Sequence, residues 1–183
     1  MAVLVEAISV VIRYDRLLEA FGNDWEAFKR IVPNKTLCAD NELARVGFMA
    51  PDDVRAFVET LQRRALTYLV DGAAQDLIVV DQLRGPVAAC DWVDFGQINI
   101  EGDPRKRVAA CRLTESTQSV VVTPEGWTFE KSLSSSFGFV PNEHLGKSLT
   151  LKRDEDGLEV YHNRLTGKEV FVGRTSNRRD RAK

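Results

Sequence analysis

The sequence predicts an α+β fold: a strand-helix-strand-helix-strand unit followed by a mainly antiparallel β region that ends in a β-meander. Three observations carry that reading. A nearly unbroken apolar run opens the chain, helical periodicity is confined to the part before Val80, and the remainder alternates polar and apolar residues between glycine-containing turns. The 183 residues suffice for one domain, or one with an appendage. They divide into an α/β part over 1–100, an antiparallel β part over 101–173 that can share a sheet with the first, and a basic flexible tail over 174–183.

From Val3 to Ile12 almost every position is apolar and several are β-branched, which predicts a strand covered on both faces and central in a sheet. Asp15 is placed to cap a helix holding Leu17, Leu18 and Phe21. Gly22-Asn23 offers a left-handed stop, and Asp24 starts a second helix with Trp25, Phe28, Ile31 and Val32 at helical spacing before Pro33. Ala44 to Met49 is short and apolar apart from Arg45. It leads into the clearest helix, in which Pro51 suits the first position and Asp52 and Asp53 face the positive end of the helix dipole. Val54, Phe57, Val58 and Leu61 then form one apolar stripe.

Asp71-Gly72 marks a turn before a buried strand at Leu77 to Val80. The order up to this point permits a parallel crossover or a split, ferredoxin-like arrangement. Beyond it, Gln97 to Ile100, Arg107 to Leu113 and Val120 to Val122 read as strands, and Ser132 to Ser136 as a mobile loop or linker. Turns at Asp156-Gly157 and Thr166-Gly167 delimit the meander.

A net charge of −2, from 25 basic and 27 acidic residues, gives no overall field for nucleic acid or an anionic membrane. It conceals an asymmetry, because the first hundred residues are acidic and the tail carries Arg174, Arg178, Arg179 and Arg181. These arginines are candidate phosphate contacts. No run reaches the roughly 18 apolar residues of a membrane span, so no membrane partner is expected. The missing basic leader and the three cysteines favour a cytoplasmic protein.

Val-Ala-Ala-Cys occurs twice, ending at Cys90 and Cys111. A hairpin about residues 101 to 104 sets Cys111 opposite Asp94 and Cys90 opposite Glu115. That offset is roughly 13 Å along the strands, beyond the ~7 Å limit of a disulfide. Without a Cys-x-x-Cys pair no metal is expected, and no cofactor either, since the Gly146-Lys147-Ser148 segment has Pro141 where a phosphate loop needs glycine.

Only His144 and His162 could serve acid-base or metal chemistry, and neither lies in a hydrolase or zinc motif. Asp81, at the carboxyl end of a buried strand, is either a ligand-edge carboxylate or a turn cap. Asp91, Trp92, Asp94 and Phe95 form a candidate acidic and aromatic binding patch. The expected function is therefore non-catalytic: ligand binding, or interaction with a protein partner or a second copy through a sheet edge, the meander or this patch. A small acid-base enzyme pairing an aspartate with His144 or His162 is the alternative, and nucleic-acid binding through the tail the third reading.

Overall fold

A computed structural model describes residues 1–117, 120–136, 149–155, 158–163 and 169–173. In chain order its elements are strands β1 (Ala2–Val5) and β2 (Ile8–Arg13), helices α1 (Tyr14–Ala20) and α2 (Trp25–Ile31), strands β3 (Cys38–Ala39) and β4 (Leu43–Phe48), and helix α3 (Pro51–Gln62). Strands β5 (Leu69–Val70), β6 (Ala73–Ala74), β7 (Leu77–Asp81), β8 (Gly85–Pro86), β9 (Val93–Asn99), β10 (Arg107–Leu113) and β11 (Val121–Val122) follow. The one-turn helix α4 (Leu133–Ser136) precedes β12 (Leu149–Glu155), β13 (Leu158–Asn163) and β14 (Glu169–Gly173). The class is α+β, as the apolar patterning predicts.

The opening run is not one central strand but two strands in different sheets. The chain breaks at Ala7, whose φ of 50° is left-handed, a conformation that costs a non-glycine residue roughly 1 kcal/mol or more. Gln82 holds the break from both sides. Its Oε1 accepts from Ala7 N–H at 2.8 Å, and its own N–H donates to Ala7 O at 2.9 Å. The strand therefore switches sheets, and its apolar residues serve two cores.

β2 is central to a five-stranded sheet of order β3-β4-β2-β7-β8, antiparallel to both β4 and β7. β4 and β7 thus run in the same direction on either side of β2, joined by α3. Of the two permitted orders, this is the split one. One face of the sheet presents Val10, Ile12, Ala44, Val46 and Val79 to Leu17, Phe28, Phe57, Val58 and Leu61 of the helices. Each of these side chains larger than alanine is worth about 2 kcal/mol of transfer free energy.

Local chemistry delimits the helices. Arg13, not Asp15, occupies the capping position of α1 and makes no side-chain cap, so Asp15 lies within the first turn. Gly22 and Asn23, both at φ 62°, end that helix, with Asn23 N–H returning to Leu18 O at 2.7 Å. Asp24 caps α2 through a 2.9 Å bond from Ala27 N–H.

The other face of the five-stranded sheet packs on a four-stranded one, order β11-β1-β10-β9. Val11, Leu43, Ile78 and Val80 meet Val3, Val5, Val93, Ala109 and Cys111 there. Strands from both sides of residue 100 pair in this second sheet, β1 with β10 and β10 with β9. The hairpin register differs by one from the sequence expectation: Cys111 faces Phe95, not Asp94. The reason is the turn, where Glu101 at φ 57° and Gly102 at φ 71° lengthen the loop so that Ile100 N–H bonds Lys106 O. Cys90 precedes β9 and does not face Glu115, and all three cysteines are free thiols.

Residues 132 to 136 are not a loose linker. Ser132 and Ser134 are buried, and α4 starts beside them. β12, β13 and β14 form the expected antiparallel meander, with a register shift between Leu151 and Arg153. The turns expected at Asp156-Gly157 and Thr166-Gly167 lie outside the described residues. No helix among the described residues is long and apolar enough to cross a membrane.

Candidate functional site

The largest side chain buried between the two sheets is a charged one. Arg45 lies on the face of β4 that also carries Leu43 and Gly47, and it is 2% exposed. Its Nε donates to Ser9 Oγ at 2.8 Å, one terminal nitrogen to Glu6 O at 2.8 Å, and the other to Thr36 O at 3.2 Å. All three acceptors are neutral oxygens, so the cation has hydrogen bonds but no carboxylate on it. Burial pulls its pKa down, opposed by the nearby Cys38 and Glu6.

Gly47 makes room for that guanidinium, because a Cβ at this position would overlap it. The outward edge of β4 at Gly47 is closed by side chains instead of a strand. Thr36 Oγ1 accepts from Gly47 N–H at 2.7 Å, and Asn34 Nδ2 donates to Gly47 O at 2.8 Å. Such side-chain pairing leaves no backbone group there for a further strand.

Glu6, at the break between β1 and β2, holds the opposite wall. Its Oε2 accepts from Trp127 Nε1 at 3.1 Å, and its Oε1 accepts from Ser134 N–H at 2.9 Å and Ser134 Oγ at 2.6 Å. Between the two walls runs an open groove of about 480 Å³. Phe48, Met49, Trp127 and Leu133 supply its apolar lining. Lys35, Asp53 and Glu125 stand exposed at its rim and have no ion-pair partner among the described residues.

Among the described residues, no histidine, cysteine or serine lines the groove. The hydroxyl of Thr36 is engaged by Asn34 and Gly47, and the Glu6 carboxylate by Trp127 and Ser134. Among the described residues, no group of three or more His, Cys, Asp or Glu side chains is arranged to hold a metal ion.

The residues singled out from sequence lie elsewhere. Asp81 is buried and its Oδ1 accepts from the N–H groups of Leu83 and Arg84 at 2.8 and 3.0 Å, the turn cap rather than a free carboxylate. Trp92 and Phe95 pack against the inter-sheet core, with Trp92 Nε1 donating to Ala74 O at 3.1 Å and the Phe95 ring against Gly85. Asp94 pairs with Arg112 across the hairpin at 3.5 Å, while Asp91 is exposed and accepts from Thr114 Oγ1 through its carbonyl. The four remain neighbours at one end of β9, with the aromatic rings turned inward and the carboxylates outward.

His162 falls within β13, and His144 and the arginines 174, 178, 179 and 181 lie outside the described residues. Arg45, Glu6 and Trp127, which build the groove, have weak sequence signals. Arg45 and Glu6 show only as single charges inside apolar runs. Neither family models nor curated proteins nor solved structures give a match to this chain.

Proposed function

We propose that this chain is a non-catalytic binding protein whose groove takes an extended segment of a partner polypeptide. The observation that supports it is the rim: unpaired Lys35, Asp53 and Glu125 surround an apolar lining that includes the exposed Met49. Two acids against one base favour a segment with an apolar residue beside a basic one. The apolar residue lies on Met49, Phe48 and Trp127, and the basic one meets Asp53 and Glu125. The three unpaired thiols favour a reducing compartment, the cytoplasm, as the setting.

Selection from a random peptide display library tests this. Enriched peptides are expected to combine an apolar residue with Lys or Arg, to be recovered uncleaved, and to bind about tenfold more weakly to a Asp53→Asn, Glu125→Gln variant, equivalent to about 1.4 kcal/mol. Both side chains are exposed, so the fold tolerates the change. Absence of enrichment, equal binding by the variant, or turnover of the peptide would overturn the proposal.

A further inference from the structure

Among the described residues, the end strand of the four-stranded sheet has one edge with no partner strand. β9 pairs with β10 and with no other strand among the described residues. Trp92 O accepts from Thr114 N–H and Ile100 N–H donates to Lys106 O, which fixes the even-numbered residues as those bonded to β10. The backbone groups of Phe95, Gln97 and Asn99 therefore point outward, and no hydrogen bond meets them among the described residues. The remaining end strands of the two main sheets, β3, β8 and β11, have two residues each, and β8 contains Pro86. β9 has seven residues, no proline, no lysine and no bulge, and a single charge at Asp94, so most of the usual protections of an edge are missing.

From this edge we infer that β9 pairs antiparallel with β9 of a second copy of the chain, about a two-fold axis at Gln97. Three features of the strand make it complementary to itself in that register. Among the described residues, Gln97 Oε1 is buried without a hydrogen-bond partner; the other such oxygen, Asp40 Oδ2, lies 3.4 Å from the Met1 amine. With Gln97 opposite its own copy, the two side chains stand side by side on one face, where each amide turns outward to bond the other reciprocally. On the other face, the half-buried Ile98 falls opposite Gly96 of the second copy, where nothing lies within 4 Å of an added Cβ. The two Asp94 carboxylates fall far apart, so no like charges oppose each other across the axis. The two four-stranded sheets become one continuous sheet of eight strands.

A single strand pair buries less than the roughly 1,200 Å² of a stable interface, so the association is reversible and is read by sedimentation over a range of concentrations. The expected result is a weight-average mass rising from one chain toward two, with the rise lost in Ile98→Lys. A covalent trap fixes the register. Directly opposed residues of this type lie about 5.5 Å apart at Cα, inside the disulfide window. Under mild oxidation Gln97→Cys is expected to form a disulfide dimer and Asp94→Cys is not. A mass of one chain at every concentration overturns the inference, as does cross-linking through position 94 but not 97. So does a complex that forms only with added peptide through β9.

Discussion

The guanidinium of Arg45 occupies the space above Gly47, two residues along the same strand, so that one buried cation and the absence of one side chain are parts of a single arrangement. Nothing about the backbone of Gly47 demands glycine; the requirement is steric. Gly47→Ala is expected to cost about 2 kcal/mol, the usual penalty of overpacking, read from the urea midpoint at unchanged slope. In an Arg45→Met background the same substitution should cost less than half as much, because the group it strikes is gone. Equal costs in the two backgrounds would show that the two positions do not share this space.

Glu6 ties the segment bearing Trp127 and Ser134 to the break between β1 and β2. A glutamine there keeps one oxygen for Ser134 but presents an amide nitrogen, a donor, to the Trp127 indole N–H, which is also a donor. Glu6→Gln is therefore expected to destabilise by about 1–2 kcal/mol. Trp127→Phe should remove most of that penalty, since no donor is left unpaired. Thermal denaturation of the two single variants and the double variant gives the coupling energy, and additive effects would show that the indole N–H is not held by Glu6.

The sequence reveals α3 because its signals are local: Pro51, two aspartates and the stripe from Val54 to Leu61 lie within three turns of one another. The groove is illegible for the opposite reason. Arg45 bonds Ser9 and Glu6, 36 and 39 residues away, and Glu6 bonds Trp127 and Ser134, 121 and 128 residues away. A lone charge in an apolar run signals that some compensation exists, but pattern alone cannot supply the partner. The break at Ala7 is hidden in the same way, since alanine carries no turn signal and the residue that holds it is Gln82. Trp92 and Phe95 show a second limit of pattern, which cannot say which way a ring turns. Aromatic residues beside acids read as a candidate patch, and the pleat of β9 turns the partly buried Phe95 ring toward the inter-sheet core and Gly85.

The three thiols should differ in reactivity in a way that checks the inter-sheet core. Burial pushes Cys38 up to about 11, opposed by the Arg45 cation, and raises Cys111 as well. Cys90 is half-buried, and the N–H groups of Trp92 and Val93 partly offset its rise. At pH 8 a soluble thiol reagent should therefore modify Cys90 first, leaving Cys38 and Cys111 protected until the chain unfolds. The folded state keeps the Cys38 proton to a higher pH than the unfolded chain, whose thiol titrates near 9.0. Stability is therefore undiminished below about 9 and falls as the pH rises toward 11, where unfolding releases the proton, by up to about 3 kcal/mol from this group. Cys38→Ala should flatten that alkaline decline in the urea midpoint. A Cys38 modified as fast as Cys90 at pH 8, or an alkaline decline unchanged in Cys38→Ala, would mean that the space between the two sheets admits water.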